Sequence, residues 1–489
     1  MSASVFSSRP AVAKSFPWPK SGLERGYWLA LALLLPILAI ANHWPVRNGF
    51  FQVDDFLWLD LAHWRSVAAS FVGSQGAHVA YRPLFRVSVY IDALLFGRNA
   101  AWWHWENILF HAANSLLLAE VLRVFRLPRS VCAAASLLFL FAPLSGESIN
   151  WISGRTSTLA LIFMLLAVWR WAAALRDHRQ PWAAAIWMVL GAMTYEAAAV
   201  LPLVLFCLLP LVRKRLAVEW PYALRQTLLL CAGLAAFWVL RAFFLGTFSG
   251  HTDVTGPDLL ANFVNHLGAL WRINQVVGTN VSLWVLAAAL ALATLHPRLF
   301  PAGPCLLIIA LITLLPYVAV EGLGGRFLYM LQAPLCVMAV LPVLIIPRIL
   351  RVPALALLLA LLLPRFVPSD WHESDSFTAA GINTKALIEA IHAAIPANDG
   401  YANIIDDVPD LYNAQIMMGG FFELGVRDSY AGGQPPFIAR SSTMLGSERM
   451  KADILAIPTR FWRYDLDARR LVPVERAAWL AAHPDAGSG

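Results

Sequence analysis

Two adjacent carboxylates, Asp54 and Asp55, stand in the stretch Asn48-Gly-Phe-Phe-Gln-Val-Asp-Asp-Phe-Leu-Trp-Leu-Asp60, just after the first long apolar segment ends. Phe50, Phe51, Phe56 and Trp58 flank them. A carboxylate in an apolar, partly dehydrated setting has its pKa raised towards the range in which it serves as a base, and charge at such an edge is costly unless it is used. The plainer reading is that the pair marks where a membrane stops and water begins. Three more segments carry chemistry-bearing groups: Tyr81-Arg82-Pro83-Leu84, the run from Pro143 to Arg155 with Glu147 inside it, and Gly325-Arg326-Phe-Leu-Tyr329. Arginine never loses its charge and grips a phosphate through paired hydrogen bonds. Any one of Arg82, Arg155 and Arg326 is equally well explained as a snorkelling anchor or the partner of an acid.

The elements that must position these groups follow from composition. Of 489 residues, 59% are hydrophobic and only 14% charged, which places the chain among polytopic membrane proteins. Twenty tryptophans fit interfacial belts on many helices. The net charge of +7 does not point to nucleic acid, because the basic residues fall between apolar spans and form no single patch. The five cysteines, all in apolar segments, give neither a disulfide framework nor metal-ligand spacing. The polar N-terminal segment 1–26 is expected in the cytoplasm, and the span after it is long enough to remain in the membrane.

A bilayer-spanning helix needs about 20 mostly apolar residues. On that basis the expected membrane domain is residues 27–366, with about eleven spans: Tyr27–Asn42, Trp103–Val124, Val131–Pro143, Ser157–Ala174, Trp182–Tyr195, Ala197–Val212, Leu224–Phe244, Val276–Leu295, Pro304–Val320, Phe327–Ile346 and Val352–Phe366. A first external loop, about 45–103, should hold one interfacial helix over Asp55–Ser70 and a second over Pro83–Phe96, the latter too short and too charged to cross. Basic residues decide the orientation. Arg9, Lys14, Lys20 and Arg25, then Arg123, Arg126 and Arg129, then Arg170, Arg176 and Arg179, then Arg213, Lys214, Arg215 and Arg225, then Arg298, and last Arg348 and Arg351 all fall on one side if Pro83–Phe96 stays at the interface. That side is the cytoplasm. Asp54, Asp55, the Pro143–Arg155 turn, Arg326 and the tail then face outward, which in a bacterial inner membrane is the periplasm.

The tail, 367–489, changes composition and reads as a small external α/β domain. Helices are expected at Phe377–Ile395 and Asn413–Leu424, strands at Tyr401–Ile405 and Ala452–Ile457, and a hairpin pairing Arg460–Asp465 with Arg470–Val474. It shows no catalytic constellation, so an accessory role in acceptor recognition or in covering the cleft is expected. His251 with Asp253 is too few ligands for a metal site, and a divalent-metal requirement is left open.

The motifs Tyr81-Arg-Pro-Leu, Asn107-Ile-Leu-Phe-His111-Ala-Ala-Asn114 and Glu147-Ser-Ile-Asn-Trp-Ile-Ser-Gly-Arg155 resemble the membrane domain of the tetratricopeptide-linked O-mannosyltransferases, and more broadly the GT-C glycosyltransferases. Asp54-Asp55 falls where those enzymes carry an acidic pair, and Glu196 and Arg326-Phe-Leu-Tyr329 fit the same pattern. The resemblance covers about residues 45–200. It implies a GT-C membrane domain and a polyprenyl-phosphate sugar donor. It further implies inversion at the sugar carbon, with a glycan, lipid or protein acceptor. Asp54 is then the expected base, with Asp55 orienting it, binding the acceptor or taking part in metal binding, or with the two roles exchanged, while Tyr81, Arg82, Glu147, Arg155, Glu196, Arg326 and Tyr329 contact substrate. The chain departs from the family at Ala142-Pro-Leu-Ser145, where His-Pro-x-His is usual, and at Tyr195, where a lysine is common. The α/β tail stands in place of the repeats. A base facing an acceptor hydroxyl and cations facing a departing phosphate are what such a transfer requires. The rival readings are a transporter or flippase of lipid-linked saccharide, which uses the same cations without chemistry, and a non-catalytic membrane scaffold.

Overall fold

The computed structural model describes residues 22–72, 81–144, 146–245, 259–265, 281–318, 325–397, 400–409, 411–412, 415–417, 422–430, 435–442 and 457–483. After α1 (Gly22–Asn42), the segment expected as the first external loop folds into α2 (Asp55–Asp60), α3 (Trp64–Ala69) and α4 (Pro83–Phe96). The single interfacial helix expected over Asp55–Ser70 is thus two short ones. The chain turns at Leu61 to His63, where the Leu61 amide closes α2 on the Leu57 carbonyl and His63 becomes extended. Proline at the first position of α4 suits a helix start, where no amide hydrogen is needed.

The membrane body continues through α5 (Ala100–Val124), α6 (Arg129–Leu140), α7 (Gly146–Asn150), α8 (Arg155–Arg176), α9 (Trp182–Thr194), α10 (Leu201–Leu211), α11 (Trp220–Leu245), α12 (Val281–Leu295), α13 (Ala302–Ile312) and α14 (Gly325–Val340). By length and composition, six helical segments among the described residues are able to cross a bilayer, and four more are shorter apolar helices. α5 has the length but carries a polar stripe. Asn107, His111, Asn114 and Ser115 recur at helical spacing and all are buried. The stripe faces α8, α7 and α14, not lipid. Asn107 Nδ2 donates to the Trp151 carbonyl (3.0 Å), Asn114 Nδ2 to the Thr158 carbonyl (2.8 Å), and His111 Nδ1 meets the Tyr329 hydroxyl (2.8 Å). Polar groups at membrane depth are tolerated in this way, by partners inside the bundle.

The main departure from expectation is α15. It runs unbroken from Arg351 to Ala394, 44 residues, through Pro364 and Pro368. The last expected span and the first expected tail helix are one rod, and the boundary drawn at 366/367 falls inside it. Beyond it lies a four-stranded sheet in the order β4-β1-β5-β6, built from β1 (Ala402–Asp406), β4 (Phe437–Arg440), β5 (Thr459–Asp465) and β6 (Arg470–Val474). β1 lies between β4 and β5, parallel to both, and is buried along its whole length, as suits its Ala-Asn-Ile-Ile-Asp sequence. The β5–β6 hairpin forms as expected, pairing Phe461 with Val474 and Asp465 with Arg470. The helix expected over Asn413–Leu424 does not form. Leu411–Tyr412 (β2) and Gln415–Ile416 (β3) pair antiparallel, and α16 begins only at Phe422 and runs through Gly425 to Ser429. Gly419-Gly420, poor in helix interiors, separates the two in sequence. The strand expected over Ala452–Ile457 lies almost wholly outside the described residues, as do His251 and Asp253.

Candidate active site

The two acids separate cleanly. Asp55, at the first turn of α2, is 2% exposed. Its carboxylate accepts the Gln52 backbone N–H (2.9 Å), the Ser153 N–H (2.9 Å) and the Ser153 hydroxyl (2.5 Å). It therefore ties the first external loop to the turn between α7 and α8. Burial pushes its pKa up to about 7, against the opposing pull of those donors. Asp54, one residue earlier, is half-buried and lies close enough to Arg82 for its charge to be felt there. One acid is structural in its contacts; the other stays partly exposed near Arg82.

Across from Asp54, Arg82 Nε donates to Glu196 Oε2 at 2.8 Å, and the Tyr81 N–H donates to the other oxygen at 3.2 Å. The guanidinium lies 4.8 Å from the centre of the Tyr195 ring. Tyr195 is thus the platform for Arg82 at the position where the family pattern usually has a cation. Tyr81 itself is 5% exposed and donates its hydroxyl to the Phe71 carbonyl (3.1 Å). On the far side, Glu147 of α7 receives the Arg326 N–H at 3.0 Å, and the Arg326 guanidinium is 3.6 Å from the other Glu147 oxygen. Arg326 also covers the Trp151 ring at 4.7 Å. Arg82 and Arg326 both act electrostatically on Tyr195 and Tyr317, whose rings are 6.2 Å apart. Arg82 with Glu196 thus sits against Tyr195, and Arg326 with Glu147 against Trp151, with both arginines partly exposed.

Two expected site residues sit elsewhere. Arg155 has no exposed surface: Nη1 is 2.6 Å from Asp92 Oδ2 and 3.0 Å from Glu106 Oε2, and Nε donates to Asn107 Oδ1 (3.1 Å). Tyr329, one turn into α14 from Arg326, is also fully buried, with its hydroxyl held by His111 and Asn114 (3.1 Å to Nδ2). Sequence reasoning passed over the groups brought in by α15. Asp370 accepts from Asn42 Nδ2 (3.0 Å), Ser374 donates to Asn150 Oδ1 (3.0 Å), and Glu373 packs so close to Gly146 that a Cβ there would stand 2.1 Å from its carboxylate. The available signal was three polar side chains at helical spacing straight after an apolar span. Among the described residues, no three His, Cys, Asp or Glu side chains gather as a metal site.

No family model matches the chain. Over 96 residues, 20% of this chain and 10% of the other, it is 31% identical to human protein O-mannosyl-transferase TMTC3. It is 30% identical over 145 residues to Drosophila melanogaster protein O-mannosyl-transferase Tmtc2, 28% of this chain and 15% of that one. The chain thus spans about a tenth to a sixth of the length of these curated relatives. The fold is similar to that of two solved glycosyltransferases. One is the arabinofuranosyltransferase AftD from Mycobacteria, with a TM-score of 0.50 and 14% identity over 87% of this chain and 32% of that one. The other is the Archaeoglobus fulgidus oligosaccharyltransferase, with a TM-score of 0.52 and 12% identity over 91% and 70%. The membrane body shares its fold with these two enzymes, and its several long apolar helices make the chain a multi-pass membrane protein.

Proposed function

We propose that the chain is an inverting glycosyltransferase that moves a sugar from a polyprenyl phosphate to an acceptor hydroxyl at the external face of the membrane. The observation that carries this reading is the difference within the acid pair: Asp55 is buried and held by three donors, while Asp54 is only half-buried and near Arg82. Asp54 takes the proton of the acceptor hydroxyl. The acceptor oxygen forms a bond to the anomeric carbon as the bond from that carbon to the phosphate oxygen breaks. Arg326 and Arg82 balance the charge left on the phosphate, each releasing part of its hold on Glu147 or Glu196 as it does so. Arg155, enclosed by Asp92 and Glu106, is assigned to the framework. The donor chain lies against the membrane body, and the tail and site face the periplasm. The acceptor is a glycan, lipid or protein hydroxyl.

The test is product analysis by mass spectrometry with purified chain, polyprenyl-phosphate sugars and candidate acceptors. Wild type should give a sugar-bearing product and free polyprenyl phosphate, and Asp54→Asn should give neither at a comparable rate. Full turnover in a well-folded Asp54→Asn, Asp55→Asn double variant would leave the transporter reading ahead.

A further inference from the structure

The segment before the acid pair is held in an unusual way. Val53 has φ 46°, in the left-handed region, where a β-branched residue is strained and persists only if its surroundings enforce it. The enforcing contacts come from the far end of the chain. The Val53 N–H donates to the Met417 carbonyl (3.0 Å), just after β3. The Gln52 side-chain Nε2 donates to the Phe377 carbonyl (2.6 Å) on α15. A third bond, from Trp151 Nε1 to the Gln52 carbonyl (3.4 Å), comes from the membrane body. Close approach is possible because position 381 is glycine: a Cβ there would stand 2.5 Å from the Phe50 nitrogen and 3.0 Å from Gln52 Nε2. α16 then packs on α2, and Arg427 reaches Asp60 (3.0 Å).

We infer that the external tail is the positioning device of the site: Phe377 and Met417 clamp the Gln52–Val53 backbone, that clamp fixes where Asp54 stands, and Gly381 is the position that lets the clamp close. This rests on the proposed role of Asp54 as base. Gln52 and Val53 are then positioning residues, acting through their neighbour and touching no substrate. The tail is more than a cover or an acceptor-binding module, because the strained residue next to the base has its amide satisfied by a tail carbonyl.

The experiment uses the full-length chain with Gly381→Val, the milder Gly381→Ala, and Val53→Pro, which removes the amide hydrogen and forbids positive φ. Three quantities are read: amide exchange of the peptide 50–58, binding of a polyprenyl phosphate, and kcat for transfer. Faster exchange, kcat lower by tenfold or more and lipid-phosphate binding within twofold of wild type are expected for Gly381→Val. Gly381→Ala should lie between it and wild type, which keeps the test alive if the larger variants misfold. In an Asp54→Asn background, Gly381→Val should cost nothing further, since the clamp works through that carboxylate. Unchanged exchange, unchanged kcat despite faster exchange, or fully additive losses in the double variant would each overturn the inference. A wild type with no transferase activity on any sugar donor sinks the proposed function instead. Exchange at 50–58 still judges the clamp in that case, an unprotected wild-type peptide overturning it.

Discussion

Arg155 and Arg326 are both arginines at helix starts on the side assigned to the outside, and the structure treats them in opposite ways. Arg155 is sealed between Asp92 and Glu106, with its remaining N–H groups on Asn107 and the Trp103 carbonyl. Arg326 keeps about a third of its side-chain surface, shares one carboxylate loosely and rests on an indole face. A guanidinium of the first kind has no surface to offer a ligand, and exchanging its partners would strand the buried carboxylate of Asp92. One of the second kind exchanges a distant carboxylate for a phosphate while that carboxylate, Glu147, keeps the Arg326 backbone N–H. What makes an arginine available is therefore the quality of its existing partners, and its place in the sequence says little.

The comparison can be broken at several points. Removing the sealed arginine should have the largest effect. Arg155→Ala leaves Asp92 and Glu106 without their cation, and breaking a buried pair costs about 3–5 kcal/mol. Loss of the monodisperse folded protein is expected, and a stable Arg155→Ala with selectively weaker lipid-phosphate binding would reverse the assignment. Asp54→Asn should lower turnover by about 10²–10⁴ with the unfolding temperature unchanged; loss of stability in step with activity would mean Asp54 is as structural as Asp55. Asp55 gives a pH signature. Its pKa stands at about 7 in the folded chain against 3.8 ordinarily, so the folded state holds the proton more tightly. Its contribution is full below about pH 4 and falls as pH rises towards 7, by roughly 2–4 kcal/mol in all. Thermal unfolding of Asp55→Asn should accordingly be flatter than wild type across that window, and parallel profiles would refute the assignment. The smallest effect is expected for Arg326→Ala: donor binding weakened about tenfold or more, from a charge-assisted contact of about 1.5–3 kcal/mol, with normal folding. Titration calorimetry with a polyprenyl phosphate reads it, and unchanged affinity would remove Arg326 from the donor site.

Much of this was legible in the chain itself. Apolar length located most of the membrane helices, and Pro83–Phe96 stands as a separate short helix. The two acids, Arg82, Glu196, Glu147 and Arg326 were all singled out, and the structure pairs Arg82 with Glu196 and Arg326 with Glu147 while burying Asp55. What could not be read was which residues would seal one another. Asp92 looked like an interruption in α4 and Glu106 in α5 drew no reading; only the fold places both on Arg155. Two expectations failed. The change of composition after Phe366 was read as a helix end, yet α15 passes through it, and the helix expected over Asn413–Leu424 gives way to the β2–β3 pair and α16.

The uninterrupted α15 has a mechanical consequence. At about 1.5 Å per residue, its 44 residues make a rod about 66 Å long, rooted in the bilayer and ending under the sheet. Such a rod transmits phase as well as height, because each residue added to it rotates everything beyond by about 100°. One inserted residue near Leu361 would swing Phe377 and Gly381 away from the loop they grip, while seven would bring them back to nearly the same bearing about 10 Å higher. The register of a single helix thus gauges both how far the sheet stands above the membrane and which way it faces.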